Sequence, residues 1–335
     1  MKVCIISDIY ASYKNRGGVE EQMENTILYL KKNGVEVVYY DYDPQTIINS
    51  DIVHFFKSLY WYWPIAEFCV KIGKPYVITP VFYISDFYNR IQYRIISQFK
   101  IRGLFKVACI LNLWNNAVCL FPNTSAEEKQ ILSYTNHHRS NIVLNCVSDE
   151  FFDAKIDLGQ EYIRSLGLQA NEYLLNIARI EKRKNQLRLV KAMKEIGMKL
   201  VLVGPIGDKK YFSEVMKFKN AIYLGEIWDP SEKITLIKYS RLFVLPSLLE
   251  TPGISALEAK YYKKNILLTK IGVGEEYFKD YQGIRYVNPL SVRNIKQNLF
   301  YLLDNTSLCN DKNQLPRYKD QIKIIVDKYN ILLNG

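Results

Sequence analysis

Four charged side chains in the second half of the chain are spaced for work on an anion and on hydroxyl groups. Arg179 stands just past the apolar run YLLNIA (173–178), and Lys184 follows near a helix start. A guanidinium offers a phosphate a two-pronged fork, and an ammonium offers it a point charge. The same stretch also suits a solvated basic helix, since Lys182, Arg183, Arg188, Lys191 and Lys194 surround the pair. Glu250 and Glu258 bracket a Thr251-Pro252-Gly253-Ile254 segment. Pro252 suits a first helical turn, and Gly253 lets backbone approach a ligand. Eight positions exceed two helical turns, so the two carboxylates reach different parts of one extended, hydroxyl-rich ligand; two surface carboxylates are the plainer alternative. A third feature lies near the N-terminus, where Asn15-Arg16-Gly17-Gly18 joins a strand to a helix. Paired glycines at a helix start can bring amides to an anion, and they also suit a plain tight turn. The pattern is not the dinucleotide-binding G-x-G-x-x-G, and GPIGDKK (204–210) is not a P-loop.

The elements that must position these residues alternate throughout. VCIISD (3–8), VEVVYYD (35–41), DIVHFF (51–56), YVIT (76–79), VCLF (118–121) and NIVLN (141–145) read as strands separated mostly by helices. YLLNIA, KLVLVG (199–204), AIYLG (221–225), RLFVLP (241–246), NILLT (265–269) and IRYV (284–287) repeat the theme. Near-continuous Val/Ile/Leu strands joined by helices predict parallel sheets covered on both faces. The fold class is therefore α/β with two Rossmann-like domains. The first is placed at 1–160 and the second at 169–335, with a linker at about 148–168. The closing helix, 316–333, is a candidate to pack back on the first domain.

Charge divides unevenly. The chain of 335 residues has 45 basic and 34 acidic side chains, a net of +11. Residues 1–165 hold 17 of each; residues 166–335 hold 28 basic and 17 acidic, so the whole excess lies there. A basic half suits an anionic ligand or a solvated surface, and no nucleic-acid reading motif accompanies it. Asp8 interrupts the N-terminal apolar run, and no run approaches the ~18–20 residues of a membrane span, so secretion and a transmembrane anchor are not expected. Six scattered cysteines suit reduced thiols in a cytoplasm. No His/Cys spacing suits a metal. Asp41-Tyr42-Asp43 reads as a strand-end turn; His54, ending a strand, could border a ligand cleft or simply pack.

Together these pieces resemble the retaining glycosyltransferases of the GT-B fold, glycosyltransferase family 4 in particular, from residue 3 to about 305. The resemblance rests on GGVEEQMENTILYLKKNGVEVVYYD (17–41), FPNTSAEEKQIL (121–132), IVLNCVSDEFF (142–152), IARIEKRKNQ (177–186), LVLVGPIGD (200–208), AIYLGEI (221–227) and Glu250-x(7)-Glu258, in that order. It implies two Rossmann-like domains with an interdomain cleft, and a UDP- or GDP-sugar donor. It implies that Arg179 and Lys184 bind the diphosphate and stabilise the leaving group. Glu258 would take the ribose hydroxyls. Glu250, with Thr251, Pro252, Gly253 and Ile254, would hold the transferred sugar, and Gly17 and Gly18 would bring amides to the diphosphate. Glu250, Arg179 and Lys184 are the implied catalytic set, with no cofactor and no metal. Two positions depart from the family: Val81 stands where members commonly have a histidine, and Asn145-Cys146 replaces an Asn-Gly pair.

Aromatic residues after two first-domain strands, Tyr60, Trp61, Trp63, Phe82 and Tyr83, are candidates for the acceptor side; core packing is their alternative. Residues 87–126 hold no acid and the bases Arg90, Arg94, Lys100, Arg102 and Lys106, interleaved with isoleucine, leucine and phenylalanine. That composition suits a helix lying on an anionic membrane, or a solvated helix face. The expected protein is a cytoplasmic transferase, peripheral on the inner face of the plasma membrane, acting on a glycan or lipid-linked acceptor in surface polysaccharide, lipopolysaccharide or glycolipid synthesis. A catalytically silent partner of another glycosyltransferase and a GT-B nucleotide-sugar epimerase are the alternatives.

Overall fold

The computed structural model describes residues 1–8, 17–84, 87–99, 106–135, 139–152, 157–273, 275–305 and 315–334. The chain divides into two units, Met1–Asn145 with Pro316–Gly335, and Cys146–Leu315.

Unit 1 runs β1 (Lys2–Ile6), α1 (Gly18–Lys32), β2 (Glu36–Tyr39), α2 (Pro44–Ile48), β3 (Ile52–Phe56), α3 (Trp63–Lys71), β4 (Tyr76–Thr79), α4 (Phe87–Phe99), α5 (Lys106–Asn115), β5 (Cys119–Leu120) and α6 (Ser125–Leu132). Its sheet is parallel, in the order β2-β1-β3-β4-β5. Every residue of β3 and β4 is buried, as expected of strands covered on both faces. Trp114, Tyr76 and Phe55 fill one side of the core.

Unit 2 runs α7 (Gly159–Ser165), β6 (Tyr173–Ile177), α8 (Gln186–Ala192), β7 (Lys199–Val203), α9 (Lys209–Val215), β8 (Ala221–Tyr223), α10 (Pro230–Tyr239), β9 (Leu242–Leu245), α11 (Ile254–Tyr261), β10 (Ile266–Thr269), α12 (Glu275–Phe278), β11 (Ile284–Val287) and α13 (Val292–Asp304). Its parallel sheet has the order β11-β10-β9-β6-β7-β8. Read from β8, this is the doubly wound order in which the first and fourth strands lie side by side at a reversal.

The last helix, α14 (Tyr318–Asn334), belongs to unit 1. Tyr318 stacks on Tyr29 of α1 with ring centroids 5.5 Å apart, and Gln321 accepts the Leu144 N–H at 2.8 Å. The Tyr329 hydroxyl lies 2.6 Å from His54 Nδ1, and Thr79 Oγ1 lies 2.9 Å from Nε2. His54 is fully buried, and burial pushes its pKa down to about 3, so the ring is neutral. It is a core residue joining β3 to α14 and borders no cleft.

Three other sequence expectations change. Residues 141–145 form no strand: Asn141 and Val143 donate to the carbonyls of Leu120 and Pro122, extending alongside β5 without a ladder of their own. The unit boundary falls at Asn145/Cys146, upstream of the 148–168 stretch read as linker, and α7 within that stretch packs on α10 of unit 2, where Tyr162 donates to Glu232 at 3.0 Å. Pro252 is not in a first helical turn; it stands before α11, whose N-cap is Gly253. Asp41 and Asp43 close a turn and cap α2, through Thr46 Oγ1 at 2.7 Å and the Gln45 N–H at 2.9 Å. Among the described residues, no helix is long and apolar enough to cross a membrane.

Candidate active site

Ligands in open parallel sheets bind beyond the carboxyl ends of the strands, where the strand order reverses. In unit 2 that place lies between β6 and β9. Arg179 and Lys184 follow β6, and Glu250 follows β9, so the topology brings together segments 66 positions apart.

Lys184 Nζ lies 2.5 Å from Glu250 Oε1. The Ser247 hydroxyl donates to that same oxygen at 2.5 Å. The Lys184 side chain is 13% exposed and that of Glu250 4%, so the pair is largely out of water. The Glu250 N–H is held by the Ile271 carbonyl at 3.0 Å. Gly253 has φ +83°, and a Cβ there would stand 3.0 Å from Leu245 Cδ2 and 3.2 Å from Glu250 Oε2. Both the backbone and the seat of the carboxylate therefore require glycine.

The two loops are laced together. The Leu248 N–H donates to the Arg183 carbonyl at 2.8 Å, and Arg183 Nη1 donates to the Leu249 carbonyl at 3.3 Å. Asn185, buried at φ 64°, donates through Nδ2 to the carbonyls of Pro246 at 2.9 Å and Pro289 at 2.7 Å. Asparagine tolerates the left-handed conformation, which lets one residue end the Lys182–Lys184 turn and start α8. Gln186 holds the Arg179 carbonyl at 2.9 Å. The stem of Arg179 lies over Gly207, where a Cβ would stand 2.8 Å from Arg179 Cδ. Glu258 is buried on α11, whose Ser255 hydroxyl is tied to the Ile177 carbonyl at 2.9 Å. Sequence reasoning missed Ser247 and Asn185; the polar side chains flanking PSLLE (246–250) and KRKN (182–185) were the available signal.

Gly17 and Gly18 belong to unit 1, as N-cap and first residue of α1. The remaining first-unit candidates part ways. Phe82 and Trp63 pack against the unit 1 core, Phe82 with its ring 4.7 Å from that of Trp114. Trp61 is exposed. Tyr60 and Tyr83 each carry a cation over the ring, Lys106 at 4.8 Å and Arg90 at 5.8 Å. On α4, Arg90, Ile91, Arg94 and Ile95 are exposed while Tyr93 and Ile96 are buried. Lys100 and Arg102 lie outside the described residues.

Val81 has φ 45°, a conformation a β-branched side chain rarely adopts. The next residue is clamped: the Phe82 N–H donates to Glu127 Oε1 at 2.6 Å, while Glu127 Oε2 accepts from the Asn123 N–H at 2.7 Å. Glu127 is fully buried, and burial pushes its pKa up to about 7 against the lowering effect of those two amides. Gln130 clamps Ile84 through both its N–H and its carbonyl.

Residues 160–318 match the family model described as glycosyl transferases group 1. That segment contains Arg179, Lys184, Ser247, Glu250 and Glu258, so all of the laced site lies inside it. No curated protein matches the chain in sequence. Among solved structures, sucrose-phosphate synthase from Thermosynechococcus elongatus superposes with a TM-score of 0.69 at 13% identity, covering 100% of this chain and 97% of that one. Anabaena HepE, solved with UDP and glucose, gives 0.69 at 14% identity, covering 100% and 97%. UDP-GlcNAc 2-epimerase from Methanocaldococcus jannaschii gives 0.56 at 11% identity, covering 100% of each chain. These likenesses establish the GT-B fold for this chain.

Proposed function

We propose that the protein is a retaining glycosyltransferase that moves a sugar from a UDP- or GDP-sugar to a glycan or lipid-linked acceptor in surface polysaccharide, lipopolysaccharide or glycolipid synthesis. The observation that carries this reading is the placing of Arg179, Lys184 and Glu250 around the strand reversal of unit 2, within the group 1 segment. The UDP and UDP-glucose complexes of HepE support a nucleotide-sugar donor by analogy of fold.

In this reading the diphosphate sits against Arg179 and Lys184. As the bond from sugar to phosphate breaks, negative charge grows on the leaving oxygen, and both cations stabilise it there. Glu250 holds the transferred sugar with the backbone of Thr251 to Ile254, and Glu258 takes the ribose hydroxyls. The departing phosphate accepts the acceptor's proton on the same face, so the anomeric configuration is retained and no histidine is needed at Val81. The two cations supply the positive charge that a metal ion would otherwise bring. The acceptor belongs to unit 1. The exposed Arg90, Ile91, Arg94 and Ile95 of α4, with Lys106, then rest on the anionic inner leaflet of the plasma membrane.

The test is transfer from a donor that binds, to lipid-linked and soluble glycan acceptors, with the product's anomeric configuration read by NMR. A retained configuration is expected, and an inverted one refutes the mechanism. The epimerase likeness favours a second reading, in which an acceptor-free incubation converts the donor to its isomer. Tight donor binding with turnover only after a second transferase is added would mark a silent partner.

A further inference from the structure

The main chain on either side of Arg179 is held before its side chain begins. Ala178 and Ile180 donate to the carbonyls of Val203 at 2.9 Å and Pro205 at 2.8 Å, and the Ile180 carbonyl accepts from the N–H groups of Gly207 and Asp208, each at 3.1 Å. Gly204, at φ 133°, lets the Ala178 carbonyl come so near that a Cβ there would stand 2.5 Å from its oxygen. On the other side, the fully buried Gln186 donates through Nε2 to the Arg179 carbonyl at 2.9 Å and to Asn176 Oδ1 of β6 at 3.3 Å. With its backbone held this way, Arg179 changes its aim only through its side-chain torsions. Gly207 lies against that side chain. A Cβ on it would stand 2.8 Å from Arg179 Cδ, 3.0 Å from Cγ and 3.3 Å from Glu181 Oε2. Gly207 has no positive φ and is exposed, so neither its backbone nor core packing requires a glycine. What its missing side chain leaves open is the path of the Arg179 stem.

We propose that Gly207 is a positioning residue: the bare backbone after β7 seats the Cγ–Cδ stem of Arg179 and so aims the guanidinium at the donor's diphosphate, with Gln186 as the opposing anchor. That the diphosphate is the target rests on the transferase reading; the seating of the stem does not. With alanine at 207, Arg179 Cδ must draw back from 2.8 Å to an ordinary contact of at least 3.4 Å, and the guanidinium beyond it turns with the stem. The charge is kept. The paired N–H approach to a phosphate depends on the plane of the guanidinium, and that alignment is lost.

The experiment compares Gly207→Ala with the wild-type full chain by two readouts. The first needs no ligand: the Arg179 Nε–H resonance in ¹H–¹⁵N NMR, assigned by its loss in Arg179→Ala. It moves in Gly207→Ala and in Gln186→Met, which keeps the side-chain length and loses the N–H. It stays in place in Gly197→Ala, the control at an exposed glycine whose Cβ would meet nothing within 4 Å. The second is calorimetric affinity for UDP and GDP. Gly207→Ala weakens whichever nucleotide the wild type binds by about threefold to tenfold, with an unchanged melting temperature, and Gly197→Ala does not weaken it. In an Arg179→Ala background Gly207→Ala has no further effect, because the group it displaces is gone. An unmoved resonance, an undiminished affinity, or a loss that persists in full in the Arg179→Ala background overturns the proposal. If the resonance moves while the wild type binds neither nucleotide, the seating stands and the donor reading falls.

Discussion

Both units gather charged side chains at a strand reversal, but they finish them differently. In unit 2, Glu250 takes both Lys184 and Ser247 on one oxygen, and Asn185 and Arg183 lace the supporting loops together. In unit 1, the Lys57–Glu20 pair is more exposed, Ser7 lacks a partner among the described residues, and Lys57 and Val81 hold left-handed backbone. The laced site is fixed in advance, which suits the stabilisation of leaving-group charge proposed for it.

The largest effect is expected from breaking the laced pair. Lys184→Ala strands a nearly buried carboxylate, and losing one partner of such a pair costs about 3–5 kcal/mol. Thermal denaturation should show a clear fall in melting temperature. Adding Glu250→Gln to that variant should recover most of it without recovering donor binding. Breaking the Lys57–Glu20 pair by Lys57→Ala should cost less, because that pair is better solvated.

Glu127 sharpens the comparison through pH. Burial holds its folded pKa at about 7, above the 4.5 of a solvated glutamate. The folded protein therefore holds the proton more tightly, and stability falls as pH rises from about 4.5 through 7, by on the order of 3 kcal/mol. Denaturation midpoints across that range should show this slope for the wild type and lose it in Glu127→Gln. An identical slope in both would mean that Glu127 does not titrate in the window.

Arg179→Ala removes the cation just past β6. Transfer should fall at least about tenfold. Glu258→Ala should weaken free UDP or GDP, whereas Glu250→Ala should chiefly lower turnover. Equal losses of nucleotide affinity would dissolve that division.

Smallest is the surface effect. Each base near an anionic leaflet is worth about 1 kcal/mol. Sedimentation with anionic vesicles at low salt should therefore weaken stepwise in Arg90→Glu and Arg94→Glu, and disappear as salt rises.

The strand runs and the types and spacing of Arg179, Lys184 and Glu250 made the α/β fold and the core of the candidate site readable in the sequence. Contacts made across long sequence separations were not readable. Ser247 is near Glu250 in sequence, but its aim at Oε1 depends on a loop held by Asn185 and Ile271. Glu20 and Lys57 stand 37 positions apart, and His54 meets Tyr329 across 275; no periodicity records such pairs. For Phe82 and Trp63 the sequence left a sugar contact and core packing equally open, because an aromatic after a strand suits both; the structure packs them, partly buried, against the unit 1 core.

The most direct measurement is calorimetric titration of the full chain and of Arg179→Ala with UDP- and GDP-sugars, with and without EDTA. The account predicts that one donor class binds the wild type, that EDTA leaves its affinity unchanged, and that Arg179→Ala weakens it at least about tenfold. Equal affinity in wild type and variant, or binding that vanishes with EDTA, would contradict a diphosphate held by Arg179 and Lys184.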